Sequence, residues 1–511
     1  MTVRKTVATL CAAVFMLTTA GSPAYAQDPE QEPSVHKAGE RTNMVSSGNS
    51  YDSYLAEHND WTVIQQSIRM EANTHIPAGA SYTVPFSAVG GLAALRITYR
   101  MGEGNNRTGE CRIELNGKLP FSEASGIRLN RQWQGDTPGE DERGNQYSVQ
   151  LTEDTGWQTT VARAASGYYL DPLLFALEEG ENALTITAEK GDIELSALEW
   201  IPGEESYPEA PSGAPRSTEA KPVRVQAEFP TLRSDSAILE LCDRTTPDMT
   251  PSFTGLQRWN AIGGSGWSQV GQSVTWEVQV KESGYYSLAL RYKQNFSSGK
   301  SSVRRLLIDG KVPCEGLEYL TFPYKNGWNT LEPRDAEGVP YQVYLEAGPH
   351  MLTLEVSYGD ISGALHTAEE SLYALNTIYR KIISLTGSTP DEYRDYQIEK
   401  YLPDVIDDMK QQLAVLTALS DELYGGKSSG EDAAALNKIT WQLGQFIKYP
   451  ETIPANLRLY LSNVTAVSQW IQDRQTQPLS LDYLELVPAG TKHQAPHTSF
   501  FQTIWFHIRQ F

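Results

Sequence analysis

The loop FPYKNGWN, residues 322–329, contains aromatic and amide side chains at a spacing that could bind a sugar. The flat face of an aromatic ring packs against the C–H surface of a pyranose, and amide or carboxylate groups bond its hydroxyls. Tyr324, Asn326 and Trp328 supply both kinds of group within one turn-rich segment. Binding residues concentrate on loops held by a rigid scaffold, so these three are candidate carbohydrate ligands. The alternative is that the rings cap the protein core.

Two other tryptophans lie in similar surroundings. Trp267 is part of GGSGWSQVG, and Trp133 ends the segment LNRQW. Both are further candidates for a sugar-stacking ring, with the same alternative of a core-capping role. Trp276 is different, because it alternates with Val274 and Val278 along one strand and so is typical of a core residue.

The sequence gives little support to catalysis. It contains no Gly-x-Ser-x-Gly, no His-Glu-x-x-His and no glycine loop that would cradle a phosphate, and its eight histidines are scattered. A glycosidase that uses two carboxylates stays open, because the separation of such a pair is invisible in sequence. However, no segment of catalytic size remains once the domains described below are assigned. The chain is therefore predicted to be non-catalytic.

The charge balance narrows the class of ligand. The 511 residues include 42 Lys and Arg against 63 Asp and Glu, which gives a formal net charge of −21 at pH 7. Nucleic acids and anionic lipids attract clustered Lys and Arg, so both are excluded as expected partners. A neutral ligand fits better. Cys111, Cys242 and Cys314 are too few and too odd in number for a disulfide framework.

The domain that must position these residues occurs twice in the sequence. LLIDGKVPC at 306–314 repeats IELNGKLPF at 113–121, and at the same offset Tyr292 aligns with Tyr99. A regular repeat of this length indicates two copies of one domain. In each copy, short runs of alternating apolar residues are separated by Gly, Asn and Asp turns, a pattern that predicts a β-sandwich.

The second copy lacks its closing strand where the first has DIELSALEWIP. Helical spacing begins there instead, near Ala364, and the matching strand PLSLDYLELVP follows only at 478–488. We therefore predict a helical bundle inserted into the second sandwich, since insertions are tolerated where loop ends lie close together. A bundle that simply follows a complete sandwich is the alternative. Within the bundle, Thr389–Glu392 resembles a helix-capping sequence, which predicts a helix directly after it. Pro403 should kink or split that helix.

The ends of the chain carry their own signals. Arg4 and Lys5, the apolar run at 7–19 and the sequence Ala24-Tyr25-Ala26 form a signal peptide, so the mature chain should begin near Gln27 outside the cytoplasm. No later run is long enough to span a membrane. The segment SFFQTIWFHIRQF predicts an amphipathic terminal helix.

These observations give a mainly β fold with an α-helical domain, two β-sandwich jelly rolls of which the second is interrupted by an inserted helical bundle. The predicted segments are a signal peptide (1–26), a disordered leader (27–50), module 1 (51–202), a linker (203–221), module 2 (222–362 plus 478–489), the bundle (363–477) and a terminal helix (490–511).

The strands GYYSLALRY and LEAGPHMLTL, the IDGKVP hairpin and the closing LDYLELV resemble carbohydrate-binding modules of families 6 and 35, which have a galactose-binding-like jelly roll. The resemblance implies a structural calcium ion in module 2, held by Gln226, Glu228 and Asp482. Gln226 departs from the family pattern, where a Glu is expected. In module 1, Ser196 stands where Asp482 does, so that site looks degraded.

Two such modules with a helical insertion are similar to the N-terminal region of extracellular solute-binding proteins of bacterial sugar ABC importers. The resemblance implies a secreted or cell-surface carbohydrate-binding protein that captures poly- or oligosaccharide, with importer components or a downstream solute-binding domain as partners. One alternative is an interaction protein whose bundle and terminal helix dock a partner while the jelly rolls are degenerate. Another is an accessory part of a glycoside hydrolase or lyase.

Overall fold

The fold is mainly β with one helical domain, as predicted. The computed structural model describes residues 34–36, 50–102, 108–214, 220–391, 393–425, 433–496 and 498–510. The predicted signal peptide and most of the predicted leader lie outside these residues. Within them, no helix is both long enough and apolar enough to cross a membrane.

Module 1 is a curled sheet of eight strands behind a short helix, α1 (Tyr51–Glu57). Its strands run in the order β2-β10-β3-β9-β4-β5, with β1 and β8 pairing with β3. Their bounds are β1 (Ser34–His36), β2 (Ile68–Ile76), β3 (Ser81–Met101), β4 (Gly109–Leu115), β5 (Ile127–Leu129), β8 (Gln158–Val161), β9 (Leu174–Lys190) and β10 (Ile193–Ile201). Module 1 also contains β6 (Gln132–Gly135) and β7 (Leu151–Asp154), which belong to another sheet.

The long strand β3 serves both halves of this curled sheet. It changes direction at Gly90 and Gly91, which have φ of 78° and 137°. A Cβ at position 91 would lie 2.7 Å from the carbonyl oxygen of Thr62. Glycine is therefore required for the bend, which allows alternating apolar residues of β3 to close over one core.

Module 2 is a sandwich of two sheets. One has the order β13-β14-β22-β16-β19, with β11 and β20 at its sides, and the other contains β18-β17-β21-β15-β12. The bounds are β11 (Val223–Gln226), β12 (Leu232–Arg233), β13 (Glu240–Leu241), β14 (Ala261–Gly264), β15 (Ser273–Val280), β16 (Gly284–Lys293), β17 (Ser302–Ile308), β18 (Tyr319–Phe322), β19 (Asn329–Leu331), β20 (Val343–Leu345), β21 (Gly348–Ser357) and β22 (Leu479–Pro488), with a short helix α2 (Glu315–Glu318) before β18.

The repeated hairpin has the same backbone in both modules. Asn116 and Gly117 in module 1, and Asp309 and Gly310 in module 2, all have positive φ between 50° and 76°. Two successive left-handed residues form the turn that matches strand twist in a two-residue hairpin, and Asn-Gly or Asp-Gly is the favoured sequence for it.

Strand β22 confirms that the bundle is an insertion. It lies between β14 and β16, pairing with both, although more than a hundred residues separate it from β21. The core of module 2 is therefore incomplete until the chain returns from the bundle.

The bundle packs four long helices, α3 (Ser362–Thr386), α5 (Pro403–Tyr424), α6 (Ala434–Lys448) and α7 (Ile453–Gln475), with a single turn α4 (Ile398–Tyr401) before α5. Leu375, Ile378 and Ile382 of α3 are buried in its core, as their spacing predicts. Pro403 starts α5 and splits it from α4. Glu392 of the predicted capping sequence lies outside the described residues, and among those described after Thr386 the next helix begins at Ile398.

A buried arginine joins the C-terminal end of the insertion to module 2. The side chain of Arg304 is 0 % exposed and donates to the carbonyl oxygens of Trp267 at 2.8 Å, Gln477 at 2.9 Å and Val303 at 2.9 Å. The Gln477 side chain in turn accepts from the Val303 amide at 2.9 Å. These bonds fix the point where the chain leaves α7 and enters β22.

The two modules contact each other directly, although the sequence between them predicts a linker. Strand β12 of module 2 pairs with β6 of module 1, and β6 pairs with β7, so one sheet continues across the junction. Glu204, at the start of the predicted linker, forms ion pairs with Arg163 at 2.6 Å and with Arg305 at 2.5 Å. The first residues of this segment therefore clamp the modules together.

The terminal helix α8 (Phe500–Gln510) buries Phe506 and leaves most of its apolar residues exposed. The exposed side chains are those of Phe500, Phe501, Ile504, Trp505 and Ile508.

Candidate functional site

Trp328 lies at one end of module 2 and is held by a carboxylate. Its indole Nε1 donates to Asp243 Oδ2 at 3.1 Å, and Lys293 Nζ lies 2.8 Å from the same oxygen. The ammonium nitrogen is also 5.9 Å from the centre of the indole ring. The ring is neither fully buried nor fully exposed. Its orientation is thus fixed by polar contacts, as a preorganised binding ring requires.

The charge of this anchor is stable at neutral pH. Burial raises the pKa of Asp243, but hydrogen bonds from Lys293 and Thr245 outweigh burial, so the pKa lies below its ordinary value. Asp243 therefore stays ionised, and the cluster presents a carboxylate, an ammonium group and an aromatic ring together.

Tyr324 and Asn326 lie on the same loop as Trp328 and contact each other. The Tyr324 hydroxyl donates to Asn326 Oδ1 at 3.2 Å, and Asn326 is exposed. The loop is tied to the neighbouring one by the Lys325 amide, which donates to the Gln294 carbonyl oxygen at 3.0 Å. That second loop carries Phe296, whose side chain is 47 % exposed. We call the group of Tyr324, Asn326, Trp328, Asp243 and Lys293 the apex site.

Sequence reasoning missed two members of the apex site. Asp243 follows the two-residue strand β13, and Lys293 ends β16. One signal was available for Lys293: in LALRYK, Arg291 and Lys293 occupy alternate positions and so share a face of the strand. No sequence pattern shows that a loop residue 85 positions away accepts a bond from Trp328.

Trp267 does not present a sugar-binding face, contrary to the sequence prediction. Its side chain is 0 % exposed and packs edge-on against Trp276 in the core of module 2. The Arg304 guanidinium lies 4.3 Å from the ring centre. The glycine-rich loop around it folds inward, because Gly263 and Gly264 adopt positive φ and let the backbone approach β22 closely. Trp267 therefore has a structural role.

Trp133 is also placed differently from the prediction. It lies on β6, is 6 % exposed, and pairs across the module junction with Arg233 of β12. Burial at the seam between the two sandwiches excludes it as a stacking surface. Of the five predicted carbohydrate-binding residues, Tyr324, Asn326 and Trp328 share one loop, and the two other tryptophans are buried elsewhere.

The three predicted metal ligands lie on two neighbouring segments of module 2. Gln226 ends β11 beside Tyr483 of β22, and the Ala227 amide donates to the Asp482 carbonyl oxygen at 2.9 Å. Glu228 is 1 % exposed and Asp482 is 0 % exposed. Buried oxygens that accept no hydrogen bond here are Gln226 Oε1, both carboxylate oxygens of Glu228 and Asp482 Oδ2.

Burial dominates the electrostatics of this cluster. Together with a smaller contribution from the nearby Asp482, burial raises the pKa of Glu228 to about 8. Burial also raises the pKa of Asp482 to about 7, although the Arg291 guanidinium opposes the shift. Arg291 Nε lies 3.0 Å from Asp482 Oδ2, and its Nη2 donates to Asp248 at 2.6 Å. Sequence reasoning missed Arg291, which neutralises part of the cluster.

These oxygens fit a hard cation. Calcium takes six to eight oxygen ligands from carboxylates, amides and backbone carbonyls. Glu228 and Gln226 hold buried oxygens that no protein donor uses, and an uncompensated buried carboxylate is costly. Elsewhere in the described parts of the chain, as here, no group of three or more His, Cys, Asp or Glu side chains is arranged to hold a metal. The candidate site contains two carboxylates and one amide.

Comparison with protein families identifies the bundle. Residues 363–476 match the family described as "Bacterial solute-binding protein, 4-helix bundle domain". The prediction that a bundle of this kind accompanies the sandwiches is thereby confirmed. No curated protein matches the chain.

Several solved structures are similar to parts of the chain. A cycloisomaltooligosaccharide glucanotransferase from Paenibacillus sp. matches at 24 % identity and a TM-score of 0.20, over 28 % of this chain and 17 % of its own. A family 35 carbohydrate-binding module from Clostridium thermocellum matches at 18 % identity and a TM-score of 0.19, over 27 % of this chain and 87 % of its own. The isomalto-dextranase of Arthrobacter globiformis T6 matches at 13 % identity and a TM-score of 0.19, over 55 % of this chain and 33 % of its own.

This chain thus covers less than a fifth of the glucanotransferase and about a third of the dextranase. At these identities and TM-scores, the similarities assign no ligand and no activity to it.

Proposed function

We propose that this protein is a non-catalytic carbohydrate-binding protein and that the apex site of module 2 holds the sugar. The observation that carries the proposal is a tryptophan anchored by a carboxylate and an ammonium group, on a loop that also carries a tyrosine and an amide in contact with each other. An aromatic face with a few oriented polar groups is the chemistry that pyranose recognition needs.

The bundle connects this binding activity to solute uptake. Its family occurs in bacterial solute-binding proteins, so we propose an extracellular or periplasmic location and a role in delivering poly- or oligosaccharide to an importer. The importer components, or a solute-binding domain beyond the terminal helix, are the proposed partners. The formal charge of −21 agrees with a neutral ligand and disfavours nucleic acid.

Calcium is the proposed cofactor of module 2. Glu228 and Gln226 would supply the oxygens that are not shared with Arg291, and Asp482 would bring the second carboxylate. The ion would neutralise buried carboxylates and tie β11 to β22. Its role would be structural, since β22 closes the sandwich that carries the apex site.

Substitution of the anchored tryptophan tests the proposal. We expect the mature protein to bind at least one glycan in an array scan, and Trp328→Ala to weaken that binding about tenfold, because about 1.4 kcal/mol of ring contact is lost. Isothermal titration calorimetry with the best glycan would measure the change.

The matched control is Trp441→Ala on α6, where the tryptophan is 64 % exposed and lies outside module 2. This variant should bind as the parent does. The proposed site would be wrong if the folded parent protein bound no glycan, or if Trp328→Ala and Trp441→Ala bound the glycan equally well.

A further inference from the structure

A second concave surface lies between the loops of the two modules. Asn145, Gln146 and Tyr147 of module 1 and Arg244 and Gln257 of module 2 line a groove of about 490 Å³. We call it the junction groove. Neither sandwich forms it alone, and the sequence analysis singled out none of its residues.

Hydrogen bonds between the loops hold the two walls of the junction groove together. The Trp259 indole donates to the Tyr147 carbonyl oxygen at 2.9 Å, and the Trp259 amide donates to Gln146 Oε1 at 2.8 Å. The Gln257 amide donates to Asn145 Oδ1 at 2.9 Å. Backbone groups and amide side chains supply these contacts, so the groove is formed before any ligand arrives.

The lining suits a hydroxyl-rich neutral ligand. The Tyr147 side chain is 60 % exposed and offers an aromatic face. The side-chain amide of Gln257, whose backbone alone bonds Asn145, can both donate and accept, as sugar hydroxyls do. One carboxylate, that of Asp141, and one guanidinium, that of Arg244, face the same space, so neither sign of charge dominates.

One segment of the chain contributes a residue to the junction groove and the next residue to the apex site. Arg244 lines the groove, and its neighbour Asp243 accepts the bond from the Trp328 indole. A ligand seated on Trp328 would have to extend past Asp243 and Arg244 to reach the groove. Gly255, at the floor, has open space where a Cβ would lie.

We propose that the protein binds an extended oligosaccharide chain across both modules, with one end on Trp328 and later sugars on Tyr147 in the junction groove. This inference rests on the proposed function and adds its ligand class: an internal stretch of a chain, bound over several sugars, where a single module would bind one or two. Fixing the modules together through β6 and β12 and through Glu204 makes such a shared site possible.

Affinity measured against chain length tests the inference. The probes are isomalto-, xylo- and β-1,3-galacto-oligosaccharides, each from the monosaccharide to chains of several sugars, titrated by calorimetry. For the series that binds, we expect affinity to rise with length in the parent protein. In Tyr147→Ala, the longest chain should bind about fivefold more weakly, which corresponds to about 1 kcal/mol of aromatic contact. The shortest ligand should bind it unchanged.

A second variant changes a residue on the module 2 side of the groove. Gln257→Ala removes the side chain but keeps the backbone amide that bonds Asn145, so the loops stay together. It should show the same selective loss for long chains. Tyr393→Ala is the control, since that tyrosine is 97 % exposed in the bundle.

The failures of the two proposals are distinguishable. Binding that rises with length and is equal in Tyr147→Ala, Gln257→Ala and the parent would overturn the junction groove and leave the apex site standing. Equal affinity for short and long chains would overturn it as well. Weaker binding at every length in Trp328→Ala is expected from the apex site, and a lack of any binding by the parent would overturn both.

Discussion

With a calcium chelator present, we expect the protein to become less stable as the pH rises from about 5 to about 8. Glu228 has an ordinary pKa of 4.5 that burial raises to about 8 in the folded state. The folded state then keeps a proton that the unfolded state loses, so the free energy of unfolding falls through this window. The pKa of Asp482, raised to about 7, acts in the same direction. The loss should be on the order of 3 to 5 kcal/mol.

Calcium should offset much of this loss of stability. A bound cation replaces the proton and favours the ionised carboxylates, so its stabilisation grows as protons leave. At a concentration a hundred times its Kd, a ligand that binds only the folded state stabilises it by about 2.7 kcal/mol. Thermal melts with calcium and with chelator should therefore coincide near pH 5 and separate most near pH 8.

The variant Glu228→Gln distinguishes calcium binding at this site from other causes of the change in stability. It removes the titrating group and one proposed ligand together, so both the pH slope under chelator and the calcium shift should shrink. The control is Glu71→Gln in module 1, where the carboxylate is exposed and paired with Arg69 at 2.8 Å. If calcium and chelator gave the same melting curve at pH 8 while the slope persisted, Glu228 would be a buried protonated acid and the metal proposal would be wrong.

The architecture was largely predictable, because patterns repeated at long range carry it. The two hairpins with Asn-Gly and Asp-Gly fixed the alignment of the modules, and PLSLDYLELVP could be matched to its counterpart in module 1 across the bundle. Helices α3 and α7 follow from apolar spacing over many turns. A local capping signal was less informative: the sequence at Thr389 has the right residues, but the helix begins only at Ile398 and again at Pro403.

The site was predictable only where it is local in sequence. Tyr324, Asn326 and Trp328 share one loop, so a single segment showed all three. Whether a loop tryptophan points outward depends on what the loop packs against, and glycines allow inward turns as readily as outward ones. That is why Trp267 is a core residue here. The junction groove and the anchor at Asp243 depend on contacts between distant segments, which one sequence does not display.

Substitution of Arg304 should destabilise module 2 more than that of any other side chain discussed. Burial lowers the pKa of Arg304 to about 9, so the guanidinium is still charged at neutral pH. Burying this charge costs free energy. The guanidinium offsets that cost by bonding three carbonyl oxygens near the end of the insertion and by packing on the Trp267 ring. Arg304→Met would leave those acceptors buried without a donor, at about 1 to 3 kcal/mol for each. Because the burial cost of the charge is relieved, we expect a net loss of about 3 kcal/mol.

The loss should be local to the point where the bundle joins the sandwich. In Arg304→Met, hydrogen exchange at the Val303 and Gln477 amides should speed up before exchange within the bundle does, since those amides bond Gln477 Oε1 and the Ser268 carbonyl oxygen. Arg304→Lys keeps the charge but not the planar fork that reaches several carbonyls, so it should fall between the parent and the methionine variant. Arg143→Met, at an exposed position in module 1, should change neither quantity. If the lysine variant matched the parent, the charge over Trp267 would account for the stabilisation and the carbonyl bonds would not; if the methionine variant did, the insertion would be held by β22 alone.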